Sequence, residues 1–298
     1  MPSLEIHPLS DLRDEAAQLL AERYARQRAA EPFLPQAGDL GAELPGCEGL
    51  VATRGGKAVA YLAGEVREGI ATVGFAGSAA TEPEALRDLF AEQAPRWEAS
   101  RFAIAVPVSE PEHIDAWFRL AFGLQFVWSV RQAEPTDPVD AGVVIRPSTP
   151  DDLDHWAGFD EVLWQTQEAT PSFSGRTIPS RAEFREEWSD LWDDTEVYRP
   201  FVAERDGEIV GEALMYRRPF GGLRVPADNV DLAHAATLPE VRGSGVGLAL
   251  TAHVINWAHE EGYASITTDW RVVSLLASRF WPKRGFRPQY LRMYRAIP

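Results

Sequence analysis

The chain repeats itself, and that repetition restricts the fold more than any other feature of the sequence. Ile145-Arg146-Pro147 echoes Ile6-His7-Pro8 139 residues further on. Val202-Ala203-Glu204-Arg205-Asp206-Gly207-Glu208-Ile209-Val210-Gly211 echoes Val51-Ala52-Thr53-Arg54-Gly55-Gly56-Lys57-Ala58-Val59-Ala60 at a distance of 151 residues, and Gly285-Phe286 echoes Gly123-Leu124 at 162. The echoes keep their order while the distance grows, as two copies of one fold would if the second had longer loops; chance matches would scatter. A chain of 298 residues has room for two ordinary domains. We therefore expect one domain over 1–132, a linker over 133–142 with two prolines and no apolar periodicity, and a second domain over 143–298.

Within the first copy, Leu4 to His7 reads as a strand and 11–28 as a helix capped by Ser10 or Asp11. Leu50 to Arg54 and Ala58 to Val66 flank Gly55-Gly56-Lys57, where the glycine pair supplies the positive φ of a tight hairpin. A further strand near 71–75, a helix over 84–100 interrupted at Pro95, a strand over 102–106, a helix over 112–121 and a strand over 124–131 complete it. The second copy carries helical patterns over 153–169 and 180–192, the latter opened by the capping-box sequence Ser180-Arg181-Ala182-Glu183. Trp156, Trp164, Trp188 and Trp192 stand there among Glu161, Glu168, Glu183, Glu186, Glu187, Asp190, Asp193 and Asp194. An aromatic core with solvated acidic faces accounts for this pattern, and so does a pocket wall for a cationic substrate.

The chemistry-bearing stretch is Pro239-Glu240-Val241-Arg242-Gly243-Ser244-Gly245-Val246-Gly247-Leu248. An apolar strand precedes it and an amphipathic helix, about 244–261, follows. A glycine-rich turn at a helix N-terminus converges backbone N–H groups on an anion. A P-loop is excluded because no Lys-Ser or Lys-Thr follows the glycines. A dinucleotide fingerprint fails at Leu248, where its third glycine or alanine would stand, and Pro239 interrupts the strand that fold requires. What remains is R-x-x-G-x-G: Arg242, Gly245 and Gly247.

Composition narrows the partners. A formal net charge of −16 argues against a nucleic-acid surface and weakly favours an amine-bearing substrate. The single cysteine, Cys47, cannot form an intrachain disulfide; no Cys/His cluster has metal spacing, so no metal is expected. No apolar run approaches a membrane span, and the start of the chain lacks the pattern of a secretory signal. The expectation is a cytoplasmic protein without membrane or nucleic-acid partners; a homodimer stays open.

After the loop and its helix come Gly262, a strand over 265–270, a helix over 273–284, Gly285-Phe286 and a final strand through Tyr290 to Arg295. Loop, helix, strand, helix and Phe280-Trp281-Pro282-Lys283-Arg284-Gly285-Phe286 in this order resemble the GNAT superfamily of acetyl-CoA-dependent N-acetyltransferases. The resemblance is strong over 202–295, weaker over 143–200, and reaches the first half mainly through the internal repeat. It implies an α/β (α+β) fold of two tandem GNAT-like domains, each a mixed central sheet flanked by helices. It further implies that Ala236, Thr237 and Leu238 pair with the pantetheine amides of acetyl-CoA. Arg242, Gly243, Ser244, Gly245, Val246 and Gly247 would then bind the pyrophosphate. Ser274 stands where many members have an asparagine that contacts the cofactor arm, and Phe280 and Trp281 would line the thioester end. Trp281 also stands where many members place a tyrosine that protonates the leaving thiolate, a task tryptophan cannot perform.

The implied reaction is direct attack of an amine on the thioester, with both substrates bound. For the proton transfers the candidates are Asp231 and His234, on opposite faces of the strand before the loop by simple alternation, and Tyr290. Glu212, Asp269 and Tyr294 are further options, and a structural role remains open for each. The first half has Ser78-Ala79-Ala80-Thr81-Glu82-Pro83-Glu84 where the loop should stand, with two glutamates that would repel pyrophosphate. We expect it to be a degenerate copy without acetyl-CoA. The acceptor could be a small-molecule amine, an amino sugar, a polyamine or a peptide N-terminus; a CoA-binding module without transfer activity is the alternative.

Overall fold

In the computed structural model, which describes residues 2–46, 48–172, 177–217 and 222–297, both copies are built on the same ladder. Cys47 lies outside the described residues. The chain divides into two compact units: Met1–Ser129 with Gly221–Pro226 and Pro288–Pro298, and Val130–Phe220 with Ala227–Arg287.

The first unit begins with β1 (Leu4–Pro8), α1 (Arg13–Ala30) and the short α2 (Leu40–Glu43). The antiparallel hairpin β2 (Gly49–Arg54) and β3 (Lys57–Ala63) follows, with Gly55 and Gly56 at φ +59° and +76° in its turn. Neither Ser10 nor Asp11 caps α1; a 3-10 turn over Leu9–Asp11 precedes it and Leu12 holds the cap position without a side-chain bond. Then come β4 (Glu65–Arg67), β5 (Ile70–Val73), β6 (Ser78–Ala80), α3 (Ala85–Gln93), β7 (Arg101–Pro107), α4 (Pro111–Phe118) and β8 (Gly123–Gln132). Pro95 ends α3, and the chain tightens into a 3-10 turn over Ala94–Trp97. Strands β1, β2, β3 and β6 form one antiparallel sheet, and β5 pairs β7 in parallel. Because side chains alternate along a strand, Leu50 and Ala52 join the core under α3 while Val51 joins the one under α1.

In the second unit β9 (Val144–Pro147), α5 (Leu153–Glu168), α6 (Arg181–Glu187), β10 (Tyr198–Arg205), β11 (Glu208–Tyr216) and β12 (Asn229–Thr237) repeat that order. After them come α7 (Val246–Glu260), β13 (Ser265–Arg271) and α8 (Leu275–Phe280). The register repeats along with the order. Ile6 opposite Ala52 becomes Ile145 opposite Ala203, and Ala52 opposite Ala60 becomes Ala203 opposite Gly211. The register slips at the same place in both hairpins, between Ala52 and Thr53 and between Ala203 and Glu204. Asp206 and Gly207, at φ +54° and +83°, form the same primed turn as the glycine pair. Two GNAT-like copies in tandem, each a mixed α/β arrangement, are what the sequence echoes encode. Helix α6 is shorter than the 180–192 pattern, although its capping box forms, with Ser180 Oγ bonded to Glu183 N and the Glu183 carboxylate bonded to Ser180 N.

Two features depart from a division into sequence halves. The last strand, β14 (Arg287–Ala296), pairs antiparallel with β7 from Tyr290 opposite Pro107 to Ala296 opposite Arg101, so Pro288 onward belongs to the first unit. The stretch expected as a linker is irregular but fastened: Ala133 N–H bonds Ala264 O, Thr136 exchanges two bonds with the Asn256 side chain, and His259 Nδ1 meets Ala133 O. No described helix is long and apolar enough to cross a membrane.

Candidate functional site

The site grows out of the way β12 leaves its neighbour. Strands β12 and β13 pair in parallel only from Asn229–Ser265 to Asp231–Thr267. Beyond Asp231 the β13-side backbone of β12 is released from that ladder, apart from Leu232 O, which accepts from Thr268 Oγ1 at 2.8 Å. Ala236, Thr237 and Leu238 lie along this released edge, half-buried. Backbone N–H and C=O groups there suit an extended amide-bearing ligand that adds itself as a strand.

At the end of β12 the chain turns through Pro239–Val241 into the glycine loop. Gly243 and Gly245 adopt φ +82° and +91°, a region that favours glycine. Ser244 Oγ bonds Val241 O, and Arg205 Nη2 ties Ser244 Oγ and Ala141 O to the turn. The first α7 bond runs from Ala249 N to Gly245 O, which leaves the N–H groups of Val246, Gly247 and Leu248 without intrahelical acceptors. Arg242, Gly243 and Ser244 are exposed beside them. This cradle fits a pyrophosphate: donors converge, the helix dipole favours negative charge, and the crest of the loop carries little side chain.

The first unit shows what a closed version looks like. Four residues, 81–84, join β6 to α3, against eight, 238–245, between β12 and α7. The N–H groups of Ala85, Leu86 and Arg87 are spent on the carbonyls of Glu82, Pro83 and Glu84. The Glu84 carboxylate takes Arg87 and Arg119, and Glu82 takes Arg54.

On the far side of the cradle, Ser274 caps α8 by accepting from Ala277 N. The ring of Phe280 lies near the position a Gly247 side chain would take. Arg284 stacks on Phe280 at 4.0 Å, and Trp281 packs edge-on against Phe280 and Phe286, 9% exposed. Ser274 thus serves the helix, and Trp281 is largely core.

The proton-transfer candidates separate. Tyr290 lies on β14 in the first unit, fully buried, its hydroxyl 3.0 Å from Gln27 Oε1 and its ionisation pushed up by burial. Asp231 is also buried and accepts from Thr267 Oγ1, which in turn accepts from Asn229 Nδ2, whose amide oxygen takes Ser265 Oγ. Asp269 is exposed on β13. The alternation argument fails for Asp231 and His234. Opposite β11, Asp231 pairs with Tyr216, Leu232 with Met215 and His234 with Leu214, so Ala233 is an extra residue. This bulge restores both side chains to one face.

His234 there joins two acids the sequence left apart. Its Nε2 lies 3.0 Å from Asp160 Oδ1 on α5, and its Nδ1 lies 2.8 Å from Glu212 Oε1 on β11, off the line of a well-aligned hydrogen bond. Trp188 Nε1 donates to Asp160 Oδ2 at 2.6 Å, and the Trp156 and Trp188 rings lie 6.1 and 5.8 Å from the imidazole. Glu212 is completely buried, and burial pushes its carboxyl up to about 7. Burial alone would lower His234, but Glu212 and Asp160 outweigh it and raise the imidazole to about 10. Burial also raises Glu187, with Asp160 adding to it. No sequence spacing could have joined Asp160, Glu212 and His234; the one available signal was a cluster of carboxylates and tryptophans. Among the described residues no group of His, Cys, Asp or Glu side chains is arranged to hold a metal ion.

Trp156 is fixed from the other end. Its Nε1 donates to Ser148 Oγ at 2.9 Å, and Ser148 Oγ donates to Asp152, which Arg146 grips through both Nη atoms at 2.9 Å. Burial works against the Asp152 anion, but Arg146, the Thr149 N–H and Ser148 hold its carboxyl down at about 2.

Comparison with known proteins says which family the fold resembles. Residues 161–286 match the model of the Acetyltransferase (GNAT) family, and the chain carries a GNAT domain there. A GNAT-family acetyltransferase from Colwellia psychrerythraea aligns over 99% of this chain and 100% of its own, at 12% identity and TM-score 0.54. A GCN5-related N-acetyltransferase from Sphaerobacter thermophilus aligns over 84% of this chain and 80% of its own, at 15% identity and TM-score 0.52. A tandem GNAT protein from the clavulanic acid biosynthesis pathway aligns over 99% and 98%, at 15% identity and TM-score 0.48. No curated protein matches the sequence.

Proposed function

We propose that the second unit moves an acetyl group from acetyl-CoA to an amine of a small molecule or peptide, by direct attack while both substrates are bound. One observation carries the reading: an open, glycine-lined helix N-terminus beside the parting of β12 and β13, in a unit whose twin has that helix start closed. Acetyl-CoA supplies an activated thioester. Residues Arg242 to Gly247 would hold its pyrophosphate, and Ala236 to Leu238 would pair with its amide arm. The half-buried Trp188 and the exposed Glu187 would offer a cationic amine an aromatic and acidic approach. The first unit contributes structure and no acetyl-CoA site.

Calorimetry on the full chain tests this directly. One acetyl-CoA should bind per chain, and Gly245→Glu should abolish binding by placing a side chain and a negative charge in the cradle. Acetylation of at least one amine in a panel of amino sugars, polyamines and peptides should follow. Two sites per chain, or unchanged affinity in Gly245→Glu, would sink the assignment; binding without transfer to any amine would make the protein a CoA-binding module.

A further inference from the structure

Helix α8 and the turn after it are basic in an acidic chain. From Trp270 onward the sequence holds seven Lys or Arg and no Asp or Glu, although acids outnumber bases 45 to 29 overall. Elsewhere arginines are spent on carboxylates, Arg54 on Glu82, Arg146 on Asp152 and Arg181 on Glu161 among them. Among the described residues Arg279, Lys283 and Arg284 meet none. Arg284 donates through Nη1 to Phe280 O at 3.2 Å, and its Nε and Nη2 are left without an acceptor among the described residues. Burial lowers its guanidinium, and no anion opposes the shift. Burying part of a cation disfavours it, and a paired carboxylate ordinarily offsets that. Arg284 has the burial without the carboxylate.

Its place is set against the cradle. The guanidinium carbon lies 4.0 Å from the centre of the Phe280 ring. Two atoms of that ring, Cε2 and Cζ, lie 3.9 Å from the point a Gly247 Cβ would occupy, and Gly247 carries one of the free N–H groups that open α7. Arg279 and Lys283 are exposed next to it in the chain. The first unit shows that the fold does not need these charges. Its turn over Trp117–Phe122 repeats that over Trp281–Phe286: Phe122 N bonds Trp117 O, Phe286 N bonds Trp281 O, and the two rings are 5.4 Å apart in each. Ala121 and Gly285 take φ +62° and +78°. The structural match thus falls two residues before the Gly123-Leu124 echo. In it Leu120 stands for Arg284, Ala116 for Phe280 and Asp115 for Arg279. Arg119, in the place of Lys283, is bound to Glu84 and Asp115. Of the two copies, the one with the open helix start has the unpaired cations.

We propose that Arg284, flanked by Arg279 and Lys283, receives the phosphate that acetyl-CoA carries on its ribose, apart from the pyrophosphate. This rests on the acetyltransferase reading above. The pyrophosphate already has the N–H groups of Val246, Gly247 and Leu248. The ribose phosphate is a monoester, with a charge of about −1.5 to −2 near pH 7 and three acceptor oxygens. The Nε and Nη2 of Arg284 form one edge of the guanidinium fork, which matches two phosphate oxygens at once. Stacking on Phe280 fixes the plane of that fork before the ligand arrives, so less ordering is needed on binding. A chain of net charge −16 repels phosphates as a whole, and a corner free of acids is where one can be received. The consequence is discrimination between acetyl-CoA and acetyl-dephospho-CoA, which share the thioester, the amide arm and the pyrophosphate.

Calorimetry on the full chain with these two ligands is the test. The wild type should bind acetyl-dephospho-CoA at least ~10-fold more weakly than acetyl-CoA. Arg284→Gln should lose about tenfold in affinity for acetyl-CoA and keep that for acetyl-dephospho-CoA within about twofold, because only the first ligand meets the missing cation. Arg279→Gln should act in the same direction by a smaller factor. Retained binding of acetyl-dephospho-CoA shows that each variant is folded. Should Arg284→Gln not fold, Arg284→Lys replaces it, since lysine keeps the charge and loses the fork; the same selective loss is expected. A wild type that binds both ligands alike overturns the proposal and leaves the acetyltransferase reading standing, since both ligands fill the cradle. Equal weakening of both ligands by the Arg284 variant also overturns it, because the cation then serves the pyrophosphate or the fold. A wild type that binds neither ligand sinks the acetyltransferase reading, and the role of Arg284 with it.

Discussion

Two glycines in the cradle should respond to alanine in opposite ways. Gly245 stands at φ +91°, and a Cβ there would meet Ala141 Cβ at 3.4 Å, an ordinary contact. Space is therefore available and the cost is backbone strain, about 1–2 kcal/mol for a residue with a side chain in the left-handed region. Gly247 lies inside the first turn of α7 without a positive φ, and its nearest neighbours would be Thr237 Cγ2 at 3.8 Å and Phe280 at 3.9 Å. Alanine there removes the helix penalty of glycine, worth up to about 1 kcal/mol. Urea denaturation should thus separate the variants by about 1–3 kcal/mol, Gly245→Ala below the wild type and Gly247→Ala above it. Acetyl-CoA affinity should not follow stability. The Gly247→Ala methyl enters the gap between Thr237 and Phe280, along the expected path of the cofactor arm, and should weaken binding about tenfold, ~1.4 kcal/mol, in a more stable protein. If Gly247→Ala binds as tightly as the wild type, the ligand does not pass there. If Gly245→Ala is as stable as the wild type, the loop does not hold Gly245 in the left-handed region.

Asp152→Asn should destabilise the second unit by about 2 kcal/mol at pH 7, from a carboxyl held down from its usual 3.8 to about 2. Because the folded-state value is lowered, this contribution is present above pH 4 and lost as pH falls toward 2; urea midpoints that differ equally at pH 7 and pH 2 would contradict it. Trp156→Ala removes a completely buried indole and its bond to Ser148, and should cost about 3–5 kcal/mol by the same assay; a loss below about 1 kcal/mol would mean the ring does not anchor α5.

Much of this architecture was legible before any coordinates. The echo of Val51 to Ala60 in Val202 to Gly211 carried over to the register, the slip and the primed turn, because a hairpin is set by residues close in sequence. The glycine loop was legible for the same reason: a turn and a helix start are local. Asp231 and His234 were misread because alternation holds only in an uninterrupted strand, and the bulge at Ala233 depends on the pairing of β12 with β11. Tyr290 and Ser274 have the right chemistry on paper, but the core under α1 claims one and a helix cap claims the other.

By itself, then, the sequence determined the repeated hairpin in each copy and a glycine-rich turn at a helix start in the second copy that the first lacks, since a hairpin and a turn rest on contacts between residues close in sequence. Tertiary structure decided where β14 pairs, because a strand's alternation does not name the sheet edge that accepts it. It also decided that Asp160, Glu212 and His234 meet in one buried cluster, because three elements distant in sequence must pack before burial can shift their charges.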